Sequence, residues 1–237
     1  MTFSAVHAGK NTLSSAPADG SGPAEPLAAI ETEPFPTSWS PDGKLLAFDQ
    51  FGARADIWLL PAPGSAGERT PRRYQETPFE KMNLQFSPDG RWVAYAAGAR
   101  GNYQVFVQPA PAASAASAPG GKWQVSVDGG ASPRWSRDGR ELFFLSGLKV
   151  LTASIEPGGA PSAPFRAGTP RLLFEGRYAT GAGIRVASPY DVSPDGKRFL
   201  MIKRGGPEAA SGQDQQMHFV LEWFEEVRRR VQSGAAQ

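Results

Sequence analysis

Four aspartates recur in one setting, and a carboxylate beside a glycine is where calcium binding or acid–base chemistry would be sought first. Ser40-Pro41-Asp42-Gly43 returns as Ser87-Pro88-Asp89-Gly90, as Ser136-Arg137-Asp138-Gly139 and as Ser193-Pro194-Asp195-Gly196. A calcium loop needs several oxygens converging within a short stretch. Here each copy brings one carboxylate, and the copies stand roughly 50 residues apart. Asp42, Asp89, Asp138 and Asp195 therefore read as structural turn residues, together with Gly43, Gly90, Gly139 and Gly196. No metal or other cofactor is expected.

Other chemistries fail on residue type. A serine hydrolase needs a Gly-x-Ser-x-Gly elbow and a histidine base. That pentapeptide does not occur, and the only histidines are His7 and His218, each read as structural or exposed. With no cysteine, disulfides, thiolate metal sites and cysteine nucleophiles are excluded. Glycine-rich phosphate loops of the Gly-x-x-x-x-Gly-Lys-Ser/Thr and Gly-x-Gly-x-x-Gly types are absent. So are the His-Arg-Asp and Asp-Phe-Gly of a protein kinase. The chain is accordingly expected not to be an enzyme. Trp39, Trp58, Trp92, Trp123, Trp135 and Trp223 hold repeat-equivalent or strand positions, which assigns them to packing. Contact residues are sought among those that break the repeat near strand ends: Tyr74, Phe79, Tyr103, Arg177, Tyr178, Arg185 and Tyr190.

The elements that must position these residues follow from the repeat. Proline presets φ for the second position of a type I turn, aspartate bonds nearby backbone, and glycine accepts positive φ. An apolar residue precedes each copy (Trp39, Phe86, Trp135, Val192). A run follows each: Leu46-Ala47-Phe48, Val93-Ala94-Tyr95, Leu142-Phe143-Phe144 and Phe199-Leu200-Met201. A turn between two such runs predicts a hairpin. Third apolar stretches come next, at Asp56–Leu60, Val105–Val107, Val150–Ile155 and Phe219–Leu221. Weaker fourth ones fall near Pro71–Tyr74, at Trp123–Val125 and at Arg171–Phe174. Four strands per period of about 40–50 residues is the arithmetic of a β-propeller blade.

The predicted fold is all-β: a single propeller domain over residues 1–237, built of four-stranded antiparallel blades. The blades fall near 36–76, 82–128, 131–177 and 188–231, after a partial one at 2–30. In the partial blade Thr2–Val6 reads as a second strand, Asn11–Ala16 as a third and Ala24–Leu27 as a fourth. The propeller is thus expected to be incomplete, with an exposed strand edge near residues 2–16. The chain would then be the C-terminal part of a longer protein. Phe224, Val227 and Val231 keep helical spacing, which predicts a short helix over 223–231 ending at Arg228-Arg229-Arg230, a solvated terminus. Ala110–Gly121, Glu156–Ala167, Thr180–Ala187 and Gly205–Gln216 read as external loops.

Across 237 residues, 25 lysines and arginines face 23 acids, a net charge of +2 that argues against a nucleic-acid partner. No stretch has the roughly 20 apolar residues needed to span a bilayer as a helix. Met1 to Lys10 lacks the basic start and apolar run of a secretory signal. Periplasmic and cytoplasmic readings both stay open.

The chain resembles the WD-like propeller repeats of the TolB type. The resemblance is carried by Trp39-Ser-Pro-Asp-Gly-Lys-Leu-Leu-Ala-Phe48, Phe86-Ser-Pro-Asp-Gly-Arg-Trp-Val-Ala-Tyr95 and Asp56-Ile-Trp-Leu-Leu60, and it covers nearly all of residues 2–231. Gly121–Ser126, Pro133–Phe144, Leu173–Tyr178, Tyr190–Ile202 and Val220–Val227 are similar to the C-terminal propeller of bacterial serine/threonine protein kinases. That likeness implies a sensing or binding module that follows a kinase domain, with no kinase activity of its own.

The expected function is therefore a non-catalytic module that binds or scaffolds a protein or small ligand through its loops. Two alternatives stand beside it. One is the regulatory end of a kinase whose catalytic domain lies outside this chain. The other is the propeller of a prolyl-oligopeptidase-like enzyme without its hydrolase domain.

Overall fold

Each Ser-Pro-Asp-Gly copy folds into the same turn, and its serine is the hub. A computed structural model describes residues 1–64, 70–111, 121–156, 165–178 and 188–202. In the first copy the Ser40 hydroxyl donates to Asp42 Oδ1 at 2.7 Å and accepts from the Leu45 amide at 2.9 Å. Asp42 also takes the Lys44 amide at 3.1 Å, and the Gly43 amide reaches back to the Ser40 carbonyl at 2.8 Å. Ser87–Asp89, Ser136–Asp138 and Ser193–Asp195 repeat this set. Gly43, Gly90 and Gly139 share φ 71°, with Gly196 at 69°. Only glycine holds that angle without cost. The serine bonds hold the carboxyls of Asp42, Asp138 and Asp195 below the ordinary aspartate range. These carboxylates are spent inside their own turns.

The turns join strands into antiparallel sheets. The first sheet has three strands, β1 (Thr2–His7), β2 (Lys10–Ser15) and β3 (Glu25–Ile30). The second holds β4 (Pro34–Trp39), β5 (Leu45–Phe51), β6 (Ala55–Pro61) and the two-residue β7 (Arg72–Arg73). The third holds β8 (Glu80–Phe86), β9 (Trp92–Ala99), β10 (Asn102–Pro109) and β11 (Trp123–Gln124). β12 (Ala131–Trp135), β13 (Glu141–Ser146), β14 (Lys149–Ser154) and β15 (Arg171–Glu175) form the fourth. β16 (Tyr190–Val192) and β17 (Phe199–Met201) form a hairpin. In every four-stranded sheet the strand order follows the chain. Among the described residues there is no helix, β1 is paired on one edge only, and the sheets do not close into a ring.

The core consists of layers between sheets. Along β5, Leu46 and Phe48 face Leu13 and Ile30 of the first sheet, while Leu45 and Ala47 face Leu84, Phe86, Val93 and Tyr95 of the third. Along β9 the alternation repeats, with Ala94 turned toward Leu142, Phe144 and Ala153 of the fourth. Phe143, Leu145 and Val150 then meet Tyr190, Val192 and Phe199. Strands buried on both faces read as continuous apolar runs. The described tryptophans pack at these layers: Trp39 and Trp58 at the first, Trp92, Trp123 and Trp135 at the third.

Polar bonds also tie each sheet to the one before it. Trp39 Nε1 donates to Thr2 Oγ1 at 2.9 Å, and the Phe86 amide to Ser38 Oγ at 3.1 Å. Trp135 Nε1 donates to the Gln85 carbonyl at 3.2 Å. The turns touch as well. A Cβ on Gly90 would lie 3.7 Å from the Pro41 ring, and one on Gly139 equally near Pro88. Where Arg137 replaces the proline, Gly196 of the next turn has no such neighbour.

By its contacts the chain divides into Met1–Arg204 and Gly205–Gln237, and all described residues belong to the first unit. The strand expected at Phe219–Leu221, the helix expected at 223–231, Arg185, His218 and Trp223 lie outside the described residues, as does most of each expected external loop.

Candidate functional site

The predicted contact residues separate into two groups. Tyr74 is fully buried and meets Tyr95 edge-to-face at 5.7 Å, so it is a core residue and not a loop contact. Tyr190 is likewise buried, its ring against Phe199 and its hydroxyl donating to the Ser132 carbonyl at 2.9 Å. Both rings stand at the ends of short strands, where the gap between sheets must be filled, and desolvation pushes both hydroxyls up. Phe79 is 57% exposed, and Arg177 is exposed. Tyr178 is half-buried against Phe174. Tyr103, second residue of β10, donates its hydroxyl to Glu80 Oε2; burial first, then that carboxylate, pushes the phenol up to about 12.

Phe79 and Glu80 precede Lys81 in the chain, and Lys81 enters a charged cluster at the junction of the second and third sheets. Asp56, second residue of β6, and Lys81, second residue of β8, meet there. The Lys81 ammonium, on a residue 1% exposed, donates to Thr77 Oγ1 at 2.8 Å, the Phe79 carbonyl at 3.3 Å and Asp56 Oδ1 at 3.4 Å. Asp56 Oδ2 takes Arg54 Nε at 2.9 Å and stands 3.6 Å from Arg73 Nε. Arg73 lies over the Trp58 ring at 5.3 Å, which fixes its plane. Burial lowers the Lys81 ammonium, Asp56 opposes that, and Arg54 and Arg73 add to the lowering. Three cations thus share one carboxylate, and among the described residues no other acid lies within ion-pair distance of them.

Beside this cluster runs a polar line through four sheets. Asp49 of β5 is fully buried and accepts the Asn83 amide on both oxygens, at 3.0 and 2.9 Å, with Asn83 Nδ2 at 3.3 Å. Asn83 Oδ1 accepts from Ser132 Oγ at 3.4 Å, and the Ser132 carbonyl accepts from Tyr190. Asn83 and Ser132 occupy matching bulges in β8 and β12 with φ of 59° and 51°. A non-glycine residue keeps that conformation only where its surroundings enforce it, and here the bonds across sheets do so. Arg134 stands two residues beyond Ser132, and its buried Nε has no hydrogen-bond partner among the described residues. Burial lowers this guanidinium, while Tyr190, Asp191 and Asp49 favour its charge. Tyr190→Phe, which removes one link of the line, is expected to cost about 1 kcal/mol, checked by urea unfolding.

Most charged groups in and around the cluster are already engaged. Asp49 and Lys81 are sealed, Glu80 is held by Tyr103, and the turn aspartates are internally bonded. Among the described residues no three metal-binding side chains gather. Phe79 and the partly exposed side chains of Arg54 and Arg73 reach solvent. Sequence reasoning missed both arginines, Asp49, Asp56, Lys81, Asn83, Ser132 and Arg134. A signal existed for two of them: Asp49 and Asp56 are charges inside or bordering otherwise apolar strand runs.

The fold is that of a TolB-like β-propeller. A solved structure assigned as TolB from Agrobacterium tumefaciens is similar with a TM-score of 0.52 at 18% identity, over 85% of this chain and 70% of that one. TolB from Acinetobacter baumannii is similar with a TM-score of 0.54 at 20% identity, over 86% of this chain and 44% of that one. An oligogalacturonate lyase solved with manganese gives 0.51 at 13% identity, over 81% of this chain and 50% of the lyase. At these identities the likeness is one of fold. No family model matches the chain, and no curated protein matches it.

Proposed function

We propose that this chain is a non-catalytic propeller module that binds a protein segment or small ligand at the junction of its second and third sheets. The observation that carries this reading is the exposed Phe79, whose carbonyl accepts from the Lys81 ammonium paired with Asp56, the carboxylate that Arg54 and Arg73 share. An aromatic anchor with arginines around it is a typical composition for a recognition surface. The likeness of Gly121–Ser126, Pro133–Phe144, Leu173–Tyr178, Tyr190–Ile202 and Val220–Val227 to kinase C-terminal propellers is one of sequence, and it favours a binding module of that kind.

The test is selection of ligands from a displayed peptide library and a metabolite panel, followed by affinity measurements. Phe79→Ala is expected to weaken selected ligands by about tenfold or more while the unfolding midpoint stays unchanged. Reproducible turnover of any ligand, abolished by a single substitution, would overturn the non-catalytic reading. Ligands indifferent to Phe79 would overturn the location.

A further inference from the structure

Among the described residues the charge at the sheet junction does not balance. Arg54, Arg73 and Lys81 bring three positive charges to Asp56, which returns one. Lys81 is sealed, yet the side chains of Arg54 and Arg73 are 34% and 35% exposed and converge on the same carboxylate oxygen. Each meets Asp56 through its Nε, Arg54 at 2.9 Å and Arg73 at 3.6 Å, and among the described residues neither donates a hydrogen bond from its Nη atoms. Arginine is the side chain best suited to grip a tetrahedral oxyanion with several donors at once. Two like charges held side by side in partial burial repel, and a bound anion turns that repulsion into attraction. The charge of +2 left by these four side chains matches a dianion better than a singly charged carboxylate.

Resting on the recognition reading above, we propose that Arg54 and Arg73 bind a phosphate-type dianion, free or as a small monoester, at the face where β6 and β8 begin. Asp56 positions the two guanidinium groups, Trp58 holds the plane of Arg73, and Lys81 supplies charge from beneath without touching the ligand. Phe79, beside the cluster, takes the organic part of a monoester.

The experiment is titration of the full chain with inorganic phosphate and with glycerol phosphate, using chloride and acetate at matched ionic strength as references. Calorimetry and the unfolding midpoint are the readouts. Saturable binding of phosphate with no acetate response is expected. Arg54→Gln and Arg73→Gln should each weaken it by about tenfold or more. Arg171→Gln, at the exposed Glu141 pair, should leave it unchanged. Glycerol phosphate binding more tightly than phosphate, with the gain lost in Phe79→Ala, identifies a monoester; equal affinities identify the free ion. Arg73→Met keeps an unbranched chain over Trp58 and serves if the glutamine variant unfolds. A phosphate response no larger than chloride's, or unchanged affinity in folded arginine variants, would overturn the site. If phosphate fails while selected ligands still depend on Phe79, the anion site falls and the recognition surface stands. Phosphate binding with no ligand depending on Phe79 gives the reverse.

Discussion

Replacing Asp56 by alanine is expected to lower the unfolding free energy by about 3–5 kcal/mol, the cost of stranding a buried charge without its partner. Lys81 is 1% exposed, and Asp56 is the one carboxylate in contact with it among the described residues. Thr77 and the Phe79 carbonyl remain as acceptors, but neither offsets the charge. Without Asp56, Lys81 would also face Arg54 and Arg73 with nothing between them. Lys81→Met removes the buried charge and keeps much of the side-chain volume, so Asp56→Ala with Lys81→Met should regain more than half of the loss. Urea unfolding of the two single variants and the double variant measures this coupling directly. Strict additivity of the two substitutions would show that the pair carries no mutual stabilisation.

Asp49 is expected to make the protein less stable as pH rises from about 4 to about 8. Burial raises its folded pKa to about 8, against an ordinary value of 3.8; the Asn83 amide and the Arg134 charge oppose that without reversing it. Between those values the unfolded chain has released the proton and the folded chain still holds it. The folded state therefore binds more protons, and stability falls with pH through the window. Below pH 4 both states are protonated and nothing is lost; above pH 8 both are ionised and the loss levels off. Each unit of difference is worth about 1.4 kcal/mol, so an effect of a few kcal/mol is expected. Asp42, Asp138 and Asp195 act in the opposite sense at lower pH: their depressed carboxyls favour folding above pH 4 and lose that contribution as pH falls. Asp49→Asn cannot ionise and should flatten the slope between pH 5 and pH 8.5, measured by urea midpoints. An unchanged slope in the folded variant would assign the pH dependence elsewhere.

Much of the fold was legible because the repeat is punctuated by a turn with strict requirements. Pro, Asp and Gly marked the hairpins, and the partial first sheet was found by its place in the cycle. Even there the serine was undervalued, although its hydroxyl bonds both the aspartate and the returning strand. The candidate site was poorly legible. Tyr74 and Tyr190 break the repeat as contact residues would, yet they fill gaps between sheets, and a sequence does not show which gaps exist. Arg54, Arg73 and Lys81 look like ordinary surface cations until β6 and β8 bring them to one carboxylate. The bulges at Asn83 and Ser132 were invisible because their left-handed angles are imposed by bonds from neighbouring sheets, not by local preference.

The placement of the apolar residues in layers between sheets bears on how the molecule comes apart. No sheet owns a core; each inner sheet owns half of two, and the first sheet and the last hairpin half of one. Stability is therefore a chain of nearest-neighbour couplings, as in stacked repeats, and damage is shared by position. A cavity made at Phe48 weakens one coupling, and one at Tyr95 weakens the next. Amide exchange should accordingly run as a gradient, slowest in β5, β9 and β13, whose neighbours cover both faces, and fastest in β1.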